Sequence, residues 1–290
     1  MNRLRDSIAC AVLLTAGILI SVEAWAQPEG EVRPEEEVAR ALAALDAFRN
    51  QRLPGDFAFK FDLRHLPRRG RETVYNGQMW GTWNRFGPLT RVRLDAPESE
   101  EAPELDFLIQ NGVRTGAWST VRSAEETEVR ALHGAALFAP LLNDVVYTPF
   151  DLQMPFVFWK RFIYEGETRR KGRPVFAFLM YPPVELEGAS ERIGSVRIFL
   201  DQKFNALVRA EIMDPEGTLK KTFKIVSFKK IQDQWIVKSV DLVDEVMRNK
   251  TRFSVVAAAL GQNFHPDMFA PESLGKAPEP AITPDAFQFL

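Results

Sequence analysis

The chain has 290 residues, with 37 basic and 39 acidic side chains and a formal net charge of −2. That balance gives no general attraction to nucleic acid or to an anionic surface. One cysteine, Cys10, excludes an internal disulfide framework, and three histidines, His65, His133 and His265, cannot build a histidine-rich metal site.

Met1-Asn-Arg-Leu-Arg5 is a short basic start, Ile8 to Val22 is almost wholly apolar, and Ala24-Trp25-Ala26 places small residues where a signal peptidase reads them. Residues 1–26 are therefore expected to be a cleavable secretory signal peptide, cut before Gln27. The apolar run of about 15 residues falls short of the roughly 20 that a spanning helix needs. Cys10 begins that run and leaves with it. Residues 27–34 read as a polar leader. Pro34-Glu-Glu-Glu37 opens a helix expected over 35–50, with Val38, Leu42, Leu45 and Phe48 on its apolar stripe.

Period two then takes over. Phe57, Phe59, Phe61 and Leu63 alternate with polar or small residues, and further strands are expected over 73–83, 89–94, 105–109 and 113–121. Asn111-Gly112 is a two-residue hairpin signal. Residues 131–159 break the pattern. Leu132, Ala135, Ala136, Leu137, Phe138, Leu141 and Leu142 look helical but apolar almost all round, and a proline-broken apolar stretch, Pro149 to Trp159, follows. Such a segment must be buried. Strands resume over 161–166, 175–181, 195–200, 207–213, 219–228, 235–243 and 251–257. The one at Val175 to Tyr181 is apolar on both faces, so it is covered on both sides. Trp80 and Trp83 point to opposite faces of their strand. From Pro271 the chain reads as a poorly ordered tail. About a dozen antiparallel strands with one or two helices should curl into a barrel or half-barrel, with the first helix and the insert in its mouth or hollow.

Catalytic signatures are missing: no G-x-S-x-G, P-loop, G-x-G-x-x-G or H-E-x-x-H occurs, and no cofactor is implied. His133, at the start of the insert, reads as a helix-terminal polar residue. Asp241, Asp244 and Glu245 lie beside Lys250 and Arg252 across a turn and read as cross-strand ion pairs, not as an acid–base pair. Nothing marks the protein as an enzyme. The apolar positions are the informative ones. Phe59, Phe61, Trp80, Phe107, Trp118, Phe138, Leu141, Leu142 and Phe156 are the candidate lining of a hollow for acyl chains, although a large core accounts for any one of them alone. A half-barrel wider than eight strands has room to spare unless something plugs it, and the insert is a natural plug.

Several segments together resemble the LolA-like outer-membrane lipoprotein-sorting proteins. They are Val196-Arg-Ile-Phe-Leu-Asp201, Leu207-Val-Arg-Ala-Glu-Ile212, Asp214-Pro-Glu-Gly-Thr-Leu219, Lys229 to Met247 with Lys250-Thr-Arg252, and Phe264-His-Pro-Asp-Met-Phe269 with Ser273-Leu274. In the first half Asn76-Gly-Gln-Met-Trp80 is similar to the family's Gly-Arg-x-Trp strand, and Asn111-Gly112 to Trp118 to its Asp-Gly-Lys-x-x-Trp hairpin. Leu141-Leu142 and Pro149-Phe-Asp-Leu152 sit where the family carries its lid. The resemblance covers most of residues 35–275. It implies one domain, a mainly β, unclosed antiparallel barrel of about eleven strands with a helical lid, followed by an extended tail over 276–290. It implies a periplasmic carrier that holds the acyl chains of lipoproteins or free lipids, with an inner-membrane release complex and an outer-membrane acceptor as partners. Gln78 falls where the family's carriers have an arginine that holds the lid shut, so Gln78 is the expected latch, a neutral donor in place of a charged one. A start at Gln27 is not a lipobox, which resembles the soluble carrier and not an anchored receptor. The rival reading is an envelope module on the same fold that senses lipid or peptide without transporting it.

Overall fold

The structure is a computed structural model and describes residues 33–95, 105–122, 127–142, 145–187, 193–279 and 281–290. The signal-peptide residues lie outside these. Helix α1 (Glu35–Asn50) starts with three glutamates behind Pro34, which suits the positive end of the helix dipole. Its inward stripe runs through Val38, Ala41, Leu45 and Phe48, a 3–4–3 spacing. Leu42, expected on that stripe, lies off it and is 42% exposed.

Two antiparallel meanders form the sheet. The first is β1 (Asp56–Leu66), β2 (Thr73–Asn84), β3 (Gly87–Leu94), β4 (Leu105–Gln110), β5 (Gly116–Arg122) and β6 (Thr127–Ala131). The second is β7 (Phe162–Arg170), β8 (Arg173–Met180), β9 (Ser195–Asp201), β10 (Leu207–Met213), β11 (Leu219–Ile231), β12 (Gln234–Asp244) and β13 (Lys250–Gln262). Pairing of β1 with β13 joins them, and β6 and β7 are left as the two ends of one unclosed sheet. With β14 (Gln288–Phe289) the described residues form a sheet of fourteen strands, more than the eleven or so expected. The added strands carry weak signals: β6 is Thr-Glu-Val-Arg-Ala, an edge strand with no apolar alternation, and β14 is two residues long. Residues expected as a loose tail thus return to the sheet. β12 pairs with β13 only as far as Ser254, which leaves an open edge beyond it. Phe289 and Gln288 pair there with Ala257 and Ala258, and Leu290 N–H donates to the Val256 carbonyl at 3.0 Å.

The sheet curls. β4 and β11 are six places apart, about 29 Å on a flat sheet. Yet Gln110 at the end of β4 and Lys221 of β11 both bond one five-residue helix, through Gln153 and Asp151, and that helix is about 7.5 Å long. The concave face carries Phe57, Phe59, Phe61 and Leu63 of β1. Gly77 and Gly81 make room for these rings: a Cβ at Gly77 would run into the Phe61 ring, and one at Gly81 into the Phe57 ring. The convex face carries Ala58, Trp80, Leu89 and Leu108, sealed by Phe264, Met268, Phe269 and Leu274. Beneath that cover Arg91 is buried. Its guanidinium donates to Asp106 through Nε at 3.0 Å and to the Ser273 and Lys276 carbonyls at 3.1 and 2.7 Å. The strand read as two-faced is so: Phe176, Phe178 and Met180 face the main core, while Val175 and Ala177 pack with Phe199 on the outer face.

Candidate functional site

β6 ends at Ala131 on one edge of the sheet and β7 begins at Phe162 on the other. The intervening insert must cross from edge to edge, and its apolar side chains fill the concave face. The helix expected near 132–142 is instead a five-residue 3₁₀ helix, Gly134–Phe138. Pro140 lacks the N–H that a continuing helix needs. A second short helix, α2 (Pro149–Gln153), begins at a capping box: Thr148 Oγ1 accepts from Asp151 N–H at 3.2 Å, and Asp151 Oδ2 accepts from Thr148 N–H at 2.9 Å. Met154 then takes a left-handed conformation and turns the chain into a 3₁₀ helix, Pro155–Phe158. A chain of rings runs through these pieces: Phe138 to Phe150 at 5.0 Å, Phe150 to Phe156 at 6.1 Å, Phe156 to Trp159 at 6.4 Å between centroids. All four residues are buried in the main core.

Polar groups on the surrounding elements fasten the insert. Lys221 Nζ of β11 donates to Asp151 Oδ2 at 2.6 Å and to the Val146 carbonyl at 2.9 Å. Thr251 Oγ1 of β13 accepts from Val146 N–H at 3.0 Å. Arg49 of α1 donates through Nε and Nη2 to the Val157 and Trp159 carbonyls, both at 2.7 Å, and burial pulls its guanidinium below the ordinary value. Gln153 Nε2 donates to the Gln110 and Gly116 carbonyls at 3.0 and 3.2 Å, and Asn111 donates back to the Gln153 carbonyl. Tyr147 is the exception. Its hydroxyl is buried with no partner among the described residues, and burial, with Asp151 and Asp241 nearby, pushes its phenol far above the usual range. Beside the insert lies a cavity of about 380 Å³. Phe138, Phe150, Ile193 and Ile212 form its apolar wall, and Asp151, Lys220, Lys221, Asp214 and Glu216 its polar one.

Solved structures share this fold. A domain described as an outer membrane lipoprotein-sorting protein, from Vibrio parahaemolyticus, is 15% identical and superposes with a TM-score of 0.69 over 83% of this chain and 98% of its own. A LolA superfamily protein from Nitrosomonas europaea gives 0.61 at 15% identity over 81% and 99%. The chain has a LolA-like fold. A DUF1329 family protein from Desulfovibrio piger is similar too, with a TM-score of 0.67 at 15% identity over 82% of this chain and 98% of that one. A family model described only as an uncharacterized protein matches residues 151–276. No curated protein matches.

Within the LolA-like sheet the sequence-derived lining residues divide. Phe61, Phe107, Phe138, Leu141, Leu142 and Phe156 meet in the main core under the insert. Phe59 shares their face but belongs to a separate cluster with Ile231, Ile236 and Val255. Trp80 and Trp118 lie on the convex side with Phe264 and Phe269. Gln78 is opposite Lys60 and Arg93 in register and two residues from Trp80, which puts it on the convex face as well. The insert is on the other face, so Gln78, expected as a latch, does not reach it; bonds to the insert come instead from Lys221, Arg49 and Thr251. A signal for Lys221 existed in the sequence. It shares its strand face with Phe223 and Ile225, a cation set in an apolar row. His133 precedes the first 3₁₀ helix and makes no capping bond. Of the expected ion pairs those of Asp241 form: Arg252 Nε and Nη2 donate to it at 2.6 and 2.9 Å, with Lys250 at 3.3 Å, whereas Glu245 lies by Lys224 at 3.9 Å and Asp244 accepts the Val246 and Met247 N–H groups. Burial works to raise the Asp241 carboxyl, but Arg252 and Lys250 outweigh it and hold the group below its ordinary value.

Proposed function

We propose that the protein is an exported, non-catalytic carrier whose concave face takes up the acyl chains of lipoproteins or lipids, with residues 132–159 as a lid over that face. The observation that carries this reading is the crossing insert. Phe138, Phe150, Phe156 and Trp159 occupy the space that an acyl chain would fill, and the insert that carries them is fastened by separate side-chain bonds and not by a covalent or fully buried ionic lock. Cargo and lid then compete for one apolar surface, and cargo shifts the balance toward the open state. Each methylene brought from water is worth about 0.8 kcal/mol, so one long chain supplies on the order of 10 kcal/mol before ordering costs. The cavity beside Phe138 and Phe150 is the entry point. Placement in the periplasm, and hand-over between an inner-membrane release complex and an outer-membrane acceptor, belong to the same proposal.

Titration with a fluorescent fatty acid, together with lipid extraction and mass spectrometry of protein purified from its native envelope, tests it. Saturable uptake and near-stoichiometric acyl cargo are expected. Absence of both sinks the carrier reading and leaves an envelope sensor on the same fold.

A further inference from the structure

Alternate turns of an antiparallel meander emerge at the same rim of the sheet. One rim carries the β2–β3, β4–β5, β7–β8, β9–β10 and β11–β12 turns. Over residues 84–87, 110–116, 169–173, 201–206 and 229–235 these hold nine Lys and Arg against two carboxylates. Both carboxylates are already engaged: Asp201 is buried, with Arg173 at 3.6 Å and the Lys203 N–H bonded to it, and Asp233 pairs with Lys230 at 2.7 Å. The described turns of the opposite rim, residues 66–72, 183–187, 213–219 and 244–250, hold five cations against seven carboxylates. A net charge of −2 thus conceals a chain polarised along its strands.

The basic rim also projects apolar side chains, one on each of three different turns. Val113 is 83% exposed, Phe204 52% and Trp235 62%. Each stands among cations. Arg114 follows Val113 and lies 4.8 Å over the Phe86 ring, which Arg85 covers at 4.6 Å. Lys203 Nζ is 5.3 Å from the Phe204 ring, and Lys230 is opposite Trp235 in register. Aromatic and aliphatic tips embedded in Lys and Arg are the composition of a surface that rests in the headgroup layer of a bilayer. The cations attract anionic lipid from a distance and the tips then bury apolar area.

We propose that this rim docks on a membrane surface rich in anionic phospholipid, with Val113, Phe204 and Trp235 entering the headgroup layer and the surrounding Lys and Arg meeting lipid phosphates. An acidic protein would answer the charge but leave three separated apolar tips without a continuous apolar layer to enter, so the bilayer is the better match. The inference goes beyond the carrier reading and does not depend on it, since docking needs no cargo in the concave face.

Protein purified from the envelope as the cell processes it is floated with phosphatidylcholine vesicles, and with vesicles in which about a third of that lipid is replaced by phosphatidylglycerol, at about 50 and about 500 mM salt. At low salt, binding to the anionic vesicles is expected to be at least about tenfold stronger than to neutral ones, and high salt should abolish it. Joint Lys203→Glu, Lys229→Glu and Lys230→Glu should weaken it by about tenfold or more. Trp235→Ser should weaken it several-fold at unchanged charge. Arg68→Glu with Arg69→Glu, on the opposite rim, should leave it within about twofold. The wild-type lipid and salt dependence stands even where a variant folds poorly. Wild type that ignores anionic vesicles at low salt overturns the proposal and leaves the rim to an acidic protein partner. Equal losses from reversing either rim overturn it as well. Failure of acyl uptake in the fatty-acid titration bears on the carrier reading alone.

Discussion

The sheet has two covers, and they are fastened differently. On the convex face the segment from Phe264 to Leu274 closes over Arg91 and Asp106, whose side chains are 1% and 3% exposed. Arg91 meets the carboxylate with two nitrogens and also binds the carbonyls of the cover itself. On the concave face the insert is as apolar, but its principal ion pair, Lys221 with Asp151, joins a cation 22% exposed to a carboxylate that is 1% exposed. Among the described residues the insert has three short helices, its Tyr147 hydroxyl has no partner, and it borders a cavity. A cover locked by a fully buried, fully satisfied charge is permanent structure. The insert, held by separate bonds through Lys221, Arg49, Thr251, Gln153 and Asn111, is the cover that the carrier proposal takes to lift.

The largest expected effect tests the permanent cover. Arg91→Met strands Asp106 in a dry site, and breaking a buried pair costs about 3–5 kcal/mol. Urea unfolding should show that loss, while the remaining folded protein binds a fatty-acid probe as wild type does. A loss under about 1 kcal/mol would mean that the two covers are fastened alike.

Lys221→Met comes next. Asp151 keeps its bonds from Thr148, so the loosening should be about 1–2 kcal/mol. Hydrogen exchange should rise over residues 145–159 and stay unchanged over 264–274, and probe affinity should rise by roughly fivefold or more. Equal exchange in both covers breaks the comparison.

Asp241→Asn should have a smaller effect, present at neutral pH and vanishing in acid. The Asp241 carboxyl titrates lower in the folded chain than unfolded, so its contribution is present above the unfolded value of about 4 and fades as pH falls below it. The variant should lose under about 1 kcal/mol at neutral pH and show a flatter acid limb in thermal melts taken against pH. An acid limb identical to wild type's removes this ion pair from the account.

The smallest effect belongs to Tyr147→Phe. Deleting a desolvated hydroxyl that makes no bond to any described residue should be neutral or stabilising by up to about 1 kcal/mol. A clear loss of melting temperature would reveal a partner for that hydroxyl and tie the insert down more firmly than described.

Much of this was readable in advance. Phe57 to Leu63 announced a half-buried strand, Val175 to Tyr181 a strand covered twice, and the apolar break after residue 131 a buried crossing. Alternation sorts residues into two faces but does not say which is concave. That choice depends on where α1 and the insert settle, and for this reason Trp80, Trp118 and Gln78 fell on the wrong side of the expectation. A register shift between Lys60 and Phe61 against β13 marks where Phe59 parts from Phe61. Apolar content overstated helix in the insert, because a segment buried on all sides need not be periodic. Lys221 and the polarised rims went unseen for a shared reason: each is a matter of which turns and faces the topology brings together, and a linear charge count averages that away.

The route of the insert has one more consequence. Among the described strands the β1–β13 seam alone joins the two meanders, and the covalent link between them is the crossing insert. If the insert lifts away, that seam can form as well between two copies as within one, with the first meander of each chain completing the second meander of the other. The topology is therefore prepared for a strand-exchanged dimer. Protein concentrated while the insert is loosened, as in Lys221→Met, is where such a dimer should gather.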